Sequence, residues 1–231
     1  MRKHVPVIKG TLRSHMLEMP TAIRDASGIS IFGKRLKSFV FTTDVAIIKN
    51  TNADAIIAVY PFTPQPIITE SLIMAADVPI FCGVGGGITT GKRVVNLALD
   101  AEFKGALGVV VNNPTPNEVI RQMREMIDIP IIVTVVSEYE DIAARIDAGA
   151  TILNVSGAKR TPYIVKKIRE KYPEFPIIAT GGPNENSIRQ TIEAGANAIT
   201  YTPPATADIL NEIMLSYRDN YESYYEDDLN K

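Results

Sequence analysis

The 231 residues contain no tryptophan, one cysteine and two histidines. Cys82 on its own cannot close an internal disulfide, so a disulfide-stapled fold is excluded and a reducing cytoplasm is the expected compartment. His4 and His15 both precede the regular part of the chain, and no carboxylate group has ligand spacing, so no metal is expected. Long apolar runs are missing too. The apolar stretches are short and broken by Gly or Pro, so none could cross a bilayer, and no hydrophobic stretch after the basic Met1-Arg2-Lys3-His4 makes a signal peptide. Charge of one sign is absent overall, at a net −2, but it is unevenly distributed. Residues 1–37 carry eight Lys/Arg against two acids, and residues 217–231 carry two against five. The basic residues are scattered, with few aromatics among them. The arm therefore reads as a solvated cover or a docking segment for a neighbouring subunit, as in a homo-oligomer, and not as a nucleic-acid surface.

What is present is a rhythm. Eight β-rich apolar runs occupy 39–41, 55–60, 79–82, 107–111, 131–135, 152–155, 177–180 and 198–201. None alternates with polar residues, the pattern of parallel strands buried on both faces. Between them lie helical patterns at 44–49, 89–103, 117–127, 138–148, 185–194 and 205–217. Pro116-Asn117 opens one helix, and Ala148-Gly149-Ala150 and Ala194-Gly195-Ala196 each close one, with Gly suited to the left-handed cap. Strands each followed by a helix, in this length, predict a single α/β (β/α)8 TIM barrel over 38–216. An open doubly wound sheet is the alternative. Ahead of the barrel, Gly28–Phe32 is expected to pair across 33–35 with 36–38, as a hairpin closing its bottom. Residues 217–231 form an acidic, Tyr-rich tail.

Active sites of such barrels sit at the C-terminal strand ends, so the residues after each run are the candidates. Asp44 follows the first run and is the candidate general base, with Glu138 after the fifth, although each reads first as a helix N-cap or first-turn charge. Lys159, after the sixth, is the third catalytic candidate: a lysine there can form a Schiff base, but with Arg160 beside it the reading preferred is an anion binder or electrostatic helper. Gly85, Gly86 and Gly87 after the third run, and Gly181 and Gly182 after the seventh, leave backbone N–H groups near helix starts, where an anion can be held. Thr202 would complete the second of these cradles. Tyr60, Asn112, Asn154 and Ser156 are candidate substrate-binding residues. Cys82, inside a run, reads as inert packing.

Val84-Gly85-Gly86-Gly87-Ile88, after Val78-Pro79-Ile80 and before Gly108-Val109-Val110-Val111-Asn112, resembles the third and fourth units of the histidine-biosynthesis barrels. That resemblance implies a phosphate on the Gly-Gly-Gly-Ile loop. Ile177-Ile178-Ala179-Thr180-Gly181-Gly182 with Ala194-Gly195-Ala196 resembles the seventh unit of the ribulose-phosphate-binding barrel superfamily. Phe32–Ser38 is similar to the lead-in hairpin of thiazole synthase and dihydroorotate-dehydrogenase-type barrels. Two departures stand out. The eighth run ends Tyr201-Thr202-Pro203-Pro204, and two prolines lack the N–H groups a phosphate needs. Val135-Val136-Ser137-Glu138 does not match the second acid of the histidine-biosynthesis pair. The resulting expectation is an enzyme, an isomerase, aldolase-like lyase or synthase, acting on a small phosphorylated metabolite without a cofactor. A non-catalytic metabolite-binding or regulatory barrel is the alternative. Flavin binding is a third reading that rests on the hairpin alone.

Overall fold

The computed structural model describes residues 6–8, 10 and 16–229, with side chains through residue 218. A two-stranded antiparallel hairpin, β1 (Ile29–Ile31) and β2 (Lys34–Leu36), precedes the barrel. Eight parallel strands then close on themselves: β3 (Ser38–Phe41), β4 (Ala55–Ala58), β5 (Ile80–Gly85), β6 (Gly108–Val111), β7 (Ile131–Val135), β8 (Ile152–Val155), β9 (Ile177–Thr180) and β10 (Ala198–Tyr201). A helix follows each: α1 (Val45–Lys49), α2 (Pro66–Ala75), α3 (Lys92–Phe103), α4 (Asn117–Met126), α5 (Ile142–Asp147), α6 (Thr161–Lys171), α7 (Glu185–Glu193) and α8 (Thr206–Leu229). The chain is a (β/α)8 TIM barrel.

The expected elements shift in five places. The hairpin turns at Phe32-Gly33, not across 33–35. Both residues have positive φ, 46° and 80°, the pair of left-handed positions that a two-residue turn between twisted strands requires. β5 runs through Gly83–Gly85, residues that read as loop because glycine is poor in strands. Pairing with β6, through a bulge between Gly83 and Gly85, and burial of Val84 override that preference. α2 and α6 have no counterpart in the sequence pattern. Both open with proline in the first turn, where its missing N–H is harmless, so the Pro66 that suggests a stiff loop is a helix start. α5 is shorter than 138–148, because Asp141 caps it by accepting from the Ala144 N–H. α8, by contrast, continues without a break through the acidic tail.

Two apolar layers form. Outward-facing strand residues pack under the helices. Inward-facing Phe39, Ile57, Phe81, Val110, Ile132, Ile152 and Ile178 fill the lower barrel, and Ile29, Ile31 and Leu36 of the hairpin close its bottom. Phe39 and Phe81 meet edge to face, 5.3 Å between centroids. That pair depends on Gly108, since a Cβ there would lie 2.6 Å from the Phe81 ring. Gly108→Ala is expected to destabilise the barrel by about 1–3 kcal/mol through overpacking, and pairing it with Phe81→Leu should recover most of the loss. Urea denaturation of the two variants checks both.

Candidate active site

Above the Phe39–Phe81 layer the inward side chains become small or polar, and a cavity of about 370 Å³ opens at the C-terminal mouth. Its wall is divided. Phe41, Ile57 and Val59 are apolar and come from β3 and β4, whereas Asn112, Thr134, Asn154 and Ser156 come from β6 to β8 or the residues just after them. Tyr60 lies on the rim with Pro61, its hydroxyl accepting from the Gln65 N–H at 2.9 Å. All four expected substrate-binding residues, Tyr60, Asn112, Asn154 and Ser156, therefore line one cavity. Asn154 is buried, with Nδ2 3.5 Å from the Thr134 hydroxyl and Oδ1 lacking any hydrogen-bond partner. The buried Thr200 hydroxyl of β10 is likewise unpartnered. Buried polar atoms are nearly always satisfied, so the unpartnered Asn154 Oδ1 in the cavity wall points to a ligand that completes it. Thr134 is a site residue that sequence reasoning missed. Its signal is a polar residue two places after Ile132 in an otherwise apolar run, and it pairs with Asn154 in the ladder.

A second cavity, about 120 Å³, adjoins the mouth and shares Val59, Tyr60, Pro61 and Asn112 with it. Its floor is the glycine loop. Gly86 has φ 99°, and a Cβ there would come 2.5 Å from the Asn112 nitrogen, so only glycine fits. The loop is pinned by Asn112 N–H to Gly85 O and Gly86 N–H to Thr89 O. Gly87 has open space around it, and its N–H and that of Ile88 make no backbone hydrogen bond among the described residues. Of the three expected cradle glycines, then, Gly87 offers a donor while Gly85 and Gly86 shape the loop. Lys92 and Arg93 follow, exposed in the first turn of α3.

The loop after β9 is different. The Gly181 N–H is spent on Thr200 O, and a Cβ on Gly181 would strike Ile199 and Ile188, so this glycine serves close packing of α7 on the sheet. Asn184 and Ser187 satisfy each other in a capping box, and Glu185 sits in the first turn holding Thr21. Gly182 has φ 80°, and Pro183, Pro203 and Pro204 have no N–H. Thr202 is exposed nearby. The phosphate cradle expected at Gly181, Gly182 and Thr202 is thus short of donors.

The three expected catalytic groups come from three different connections, and only the Glu138 loop and the Lys159 turn are joined, through Arg160. Asp44 is the N-cap of α1, with Oδ1 accepting from the Ala46 and Ile47 N–H groups. Its Oδ2 accepts from the Thr206 hydroxyl at the start of α8. The Thr206 bond first, and the α1 N–H groups with it, hold this carboxylate below the usual range, against the opposing effect of partial burial. Both oxygens are engaged and the group is a weakened base. Glu138, after β7, is largely covered. One oxygen pairs with Arg160 and the other is buried without a partner. Lys159 is exposed on the 3-10 turn Ala158–Arg160. Burial pushes the Cys82 thiol up to about 12, consistent with inert packing. Among the described residues no cluster of three His, Cys, Asp or Glu could hold a metal ion, and no helix is long and apolar enough to cross a membrane.

No family model and no curated protein sequence matches the chain. Solved structures do. A 2,3-dimethylmalate lyase of the PEP mutase/isocitrate lyase superfamily aligns over 89% of this chain and 85% of its own, at 13% identity and a TM-score of 0.60. Phosphonopyruvate hydrolase, in complex with oxalate and Mg²⁺, aligns over 84% and 83%, at 12% and 0.58. A thiamine phosphate pyrophosphorylase from Pyrococcus furiosus aligns over 72% and 85%, at 22% and 0.54. At these identities the likeness is one of fold, and it confirms the TIM barrel.

Asp44→Ala is expected to cost about 1 kcal/mol at neutral pH through loss of the cap. Because the folded carboxylate titrates below its unfolded value, its contribution is present above about pH 4 and is lost as pH falls through the folded pKa. The gap between wild type and variant in denaturant midpoint should therefore narrow below about pH 4; a gap independent of pH would show that the charge of Asp44 does not matter.

Proposed function

We propose that this chain is an enzyme of the ribulose-phosphate-binding type that takes a small phosphorylated metabolite and acts on it as a lyase or isomerase. The observation that carries the reading is the convergence of Tyr60, Asn112, Asn154 and Ser156 on one cavity that adjoins the glycine loop. The mouth, at about 370 Å³, has the size of a small-ligand pocket. Its neutral polar wall suits the hydroxyl- or carbonyl-bearing body of the ligand, with Asn154 Oδ1 accepting a proton donor. The phosphate lies against Gly87, Ile88 and the start of α3, where open N–H groups, the helix dipole and Lys92 and Arg93 all favour an anion. Glu138, which lies outside the lining of the mouth but keeps one oxygen without a hydrogen-bond partner, is the acid left for proton transfer, since Asp44 is committed to capping. Lys159, exposed on the turn after β8, adds a cation that attracts the substrate, while Arg160 is balanced by Glu138. Structural neighbours that include a lyase and a phosphonopyruvate hydrolase are consistent with this class of chemistry.

A second reading, a barrel that binds the same metabolite without transforming it, is favoured by the neutrality of the mouth. Tyr60 is the sole ionisable side chain lining it.

Calorimetry against a panel of sugar phosphates, with inorganic phosphate as control, tests the binding site. Asn154→Leu and Gly86→Ala should each weaken binding about tenfold or more. Unchanged affinity in both would place the ligand elsewhere. Turnover of a bound compound, abolished by Glu138→Gln with affinity kept within about twofold, separates the enzyme from the binding barrel.

A further inference from the structure

In a (β/α)8 barrel the eighth helix has a place, between α7 and α1 on the outer face of the last and first strands. Here residues 17–25 occupy that place. The 3-10 turn Thr21–Asp25 packs on α7 and buries Ala22 and Ile23, while Leu17 bonds to Asn50 and Asn52 just after α1. α8 makes no extended packing with any other helix or strand among the described residues. It touches the barrel at its first turns, where Ile209 and Ile213 line a groove of about 500 Å³ with Met16, Leu17, Ala46 and Ile47. It is also long. Twenty-four residues span about 36 Å, twice the length of α3.

The helix is amphipathic in a particular way. Leu210 is 56% exposed, Tyr217 is 61% exposed, and Met214 lies between them. In the sequence the same spacing continues at Tyr221 and Tyr224, so that 210, 214, 217, 221 and 224 follow a 4-3-4-3 repeat. That repeat is the seam of two paired helices. We propose that α8 is a dimerisation helix that pairs antiparallel with α8 of a second copy of this chain. Charge selects both partner and direction. Residues 217–231 carry five acids against two Lys/Arg, whereas residues 1–16, which lead to Met16 in the groove, carry four Lys/Arg and no acid. Parallel pairing would set two acidic ends side by side, and antiparallel pairing keeps them apart. Asp208, Glu212 and the acids that follow make an anionic membrane surface a poor alternative.

Sedimentation velocity on the full chain is expected to show a dimer at micromolar concentration. Leu210→Glu with Met214→Glu should raise its dissociation constant about a hundredfold or more while leaving the thermal melt of the barrel in place, because α8 contributes little to it. With the seam centred on Tyr217, Leu210→Cys mixed with Tyr224→Cys should form an intermolecular disulfide on mild oxidation, and Leu210→Cys alone should not. The buried Cys82 stays out of the reaction. A monomer at about 100 µM, a dimer that survives the double substitution, self-crosslinking of Leu210→Cys, or monomeric binding to vesicles containing phosphatidylserine would each overturn the proposal.

Discussion

An eight-stranded barrel has an interior of fixed cross-section that its own side chains must fill, and the level at which they stop filling it decides where a ligand can go. Here two phenylalanines from β3 and β5 meet edge to face in the lower barrel, and Gly108 yields the space they need. Above them no large inward residue comes from β5. Gly83 stands against Val59, where a Cβ would come 2.9 Å from the valine side chain. The mouth cavity is the consequence of that taper. Its polarity follows from which strands contribute the next layer: Thr134 and Asn154 on one side, Phe41 and Val59 on the other.

The same competition for space and for hydrogen bonds explains why two glycine loops on one barrel end behave differently. Glycine frees a backbone to approach an anion, but it equally lets a helix approach a strand. At Gly181 the second use prevails, because Ile188 and Ile199 close over it and its N–H completes the ladder to Thr200. At Gly87 no neighbour intervenes and the donor remains turned to solvent. The first-strand acid shows a related outcome. A carboxylate at the start of a short helix is worth most as a cap, and the Thr206 hydroxyl takes its second oxygen, so Asp44 ties the first unit of the barrel to the last.

The N-terminal segment and the last helix are two sides of one arrangement. Once residues 17–25 cover the outer face between α7 and α1, the eighth helix has nothing left to cover, and its apolar stripe is turned outward.

The eight strands were legible because parallel strands buried on both faces must be apolar throughout, a pattern no other element imitates at that length. The substrate-binding candidates were legible by the same logic: Tyr60, Asn112 and Ser156 close apolar runs at the end of the barrel where sites form, and Asn154 interrupts one. Local turn chemistry also spoke in the sequence, at Asp44, Gly149 and Gly195. What the sequence did not contain was the allocation of hydrogen bonds and of space between distant segments. Asp44 and Thr206 are 162 residues apart, Gly181 spends its donor on the neighbouring strand, and the slot of α8 is filled from the other end of the chain. Residue type and spacing determine which elements form and which groups reach the barrel mouth. Only closure of the barrel decides which of those groups are still unpaired when they arrive, because each donor and each patch of surface can be used once.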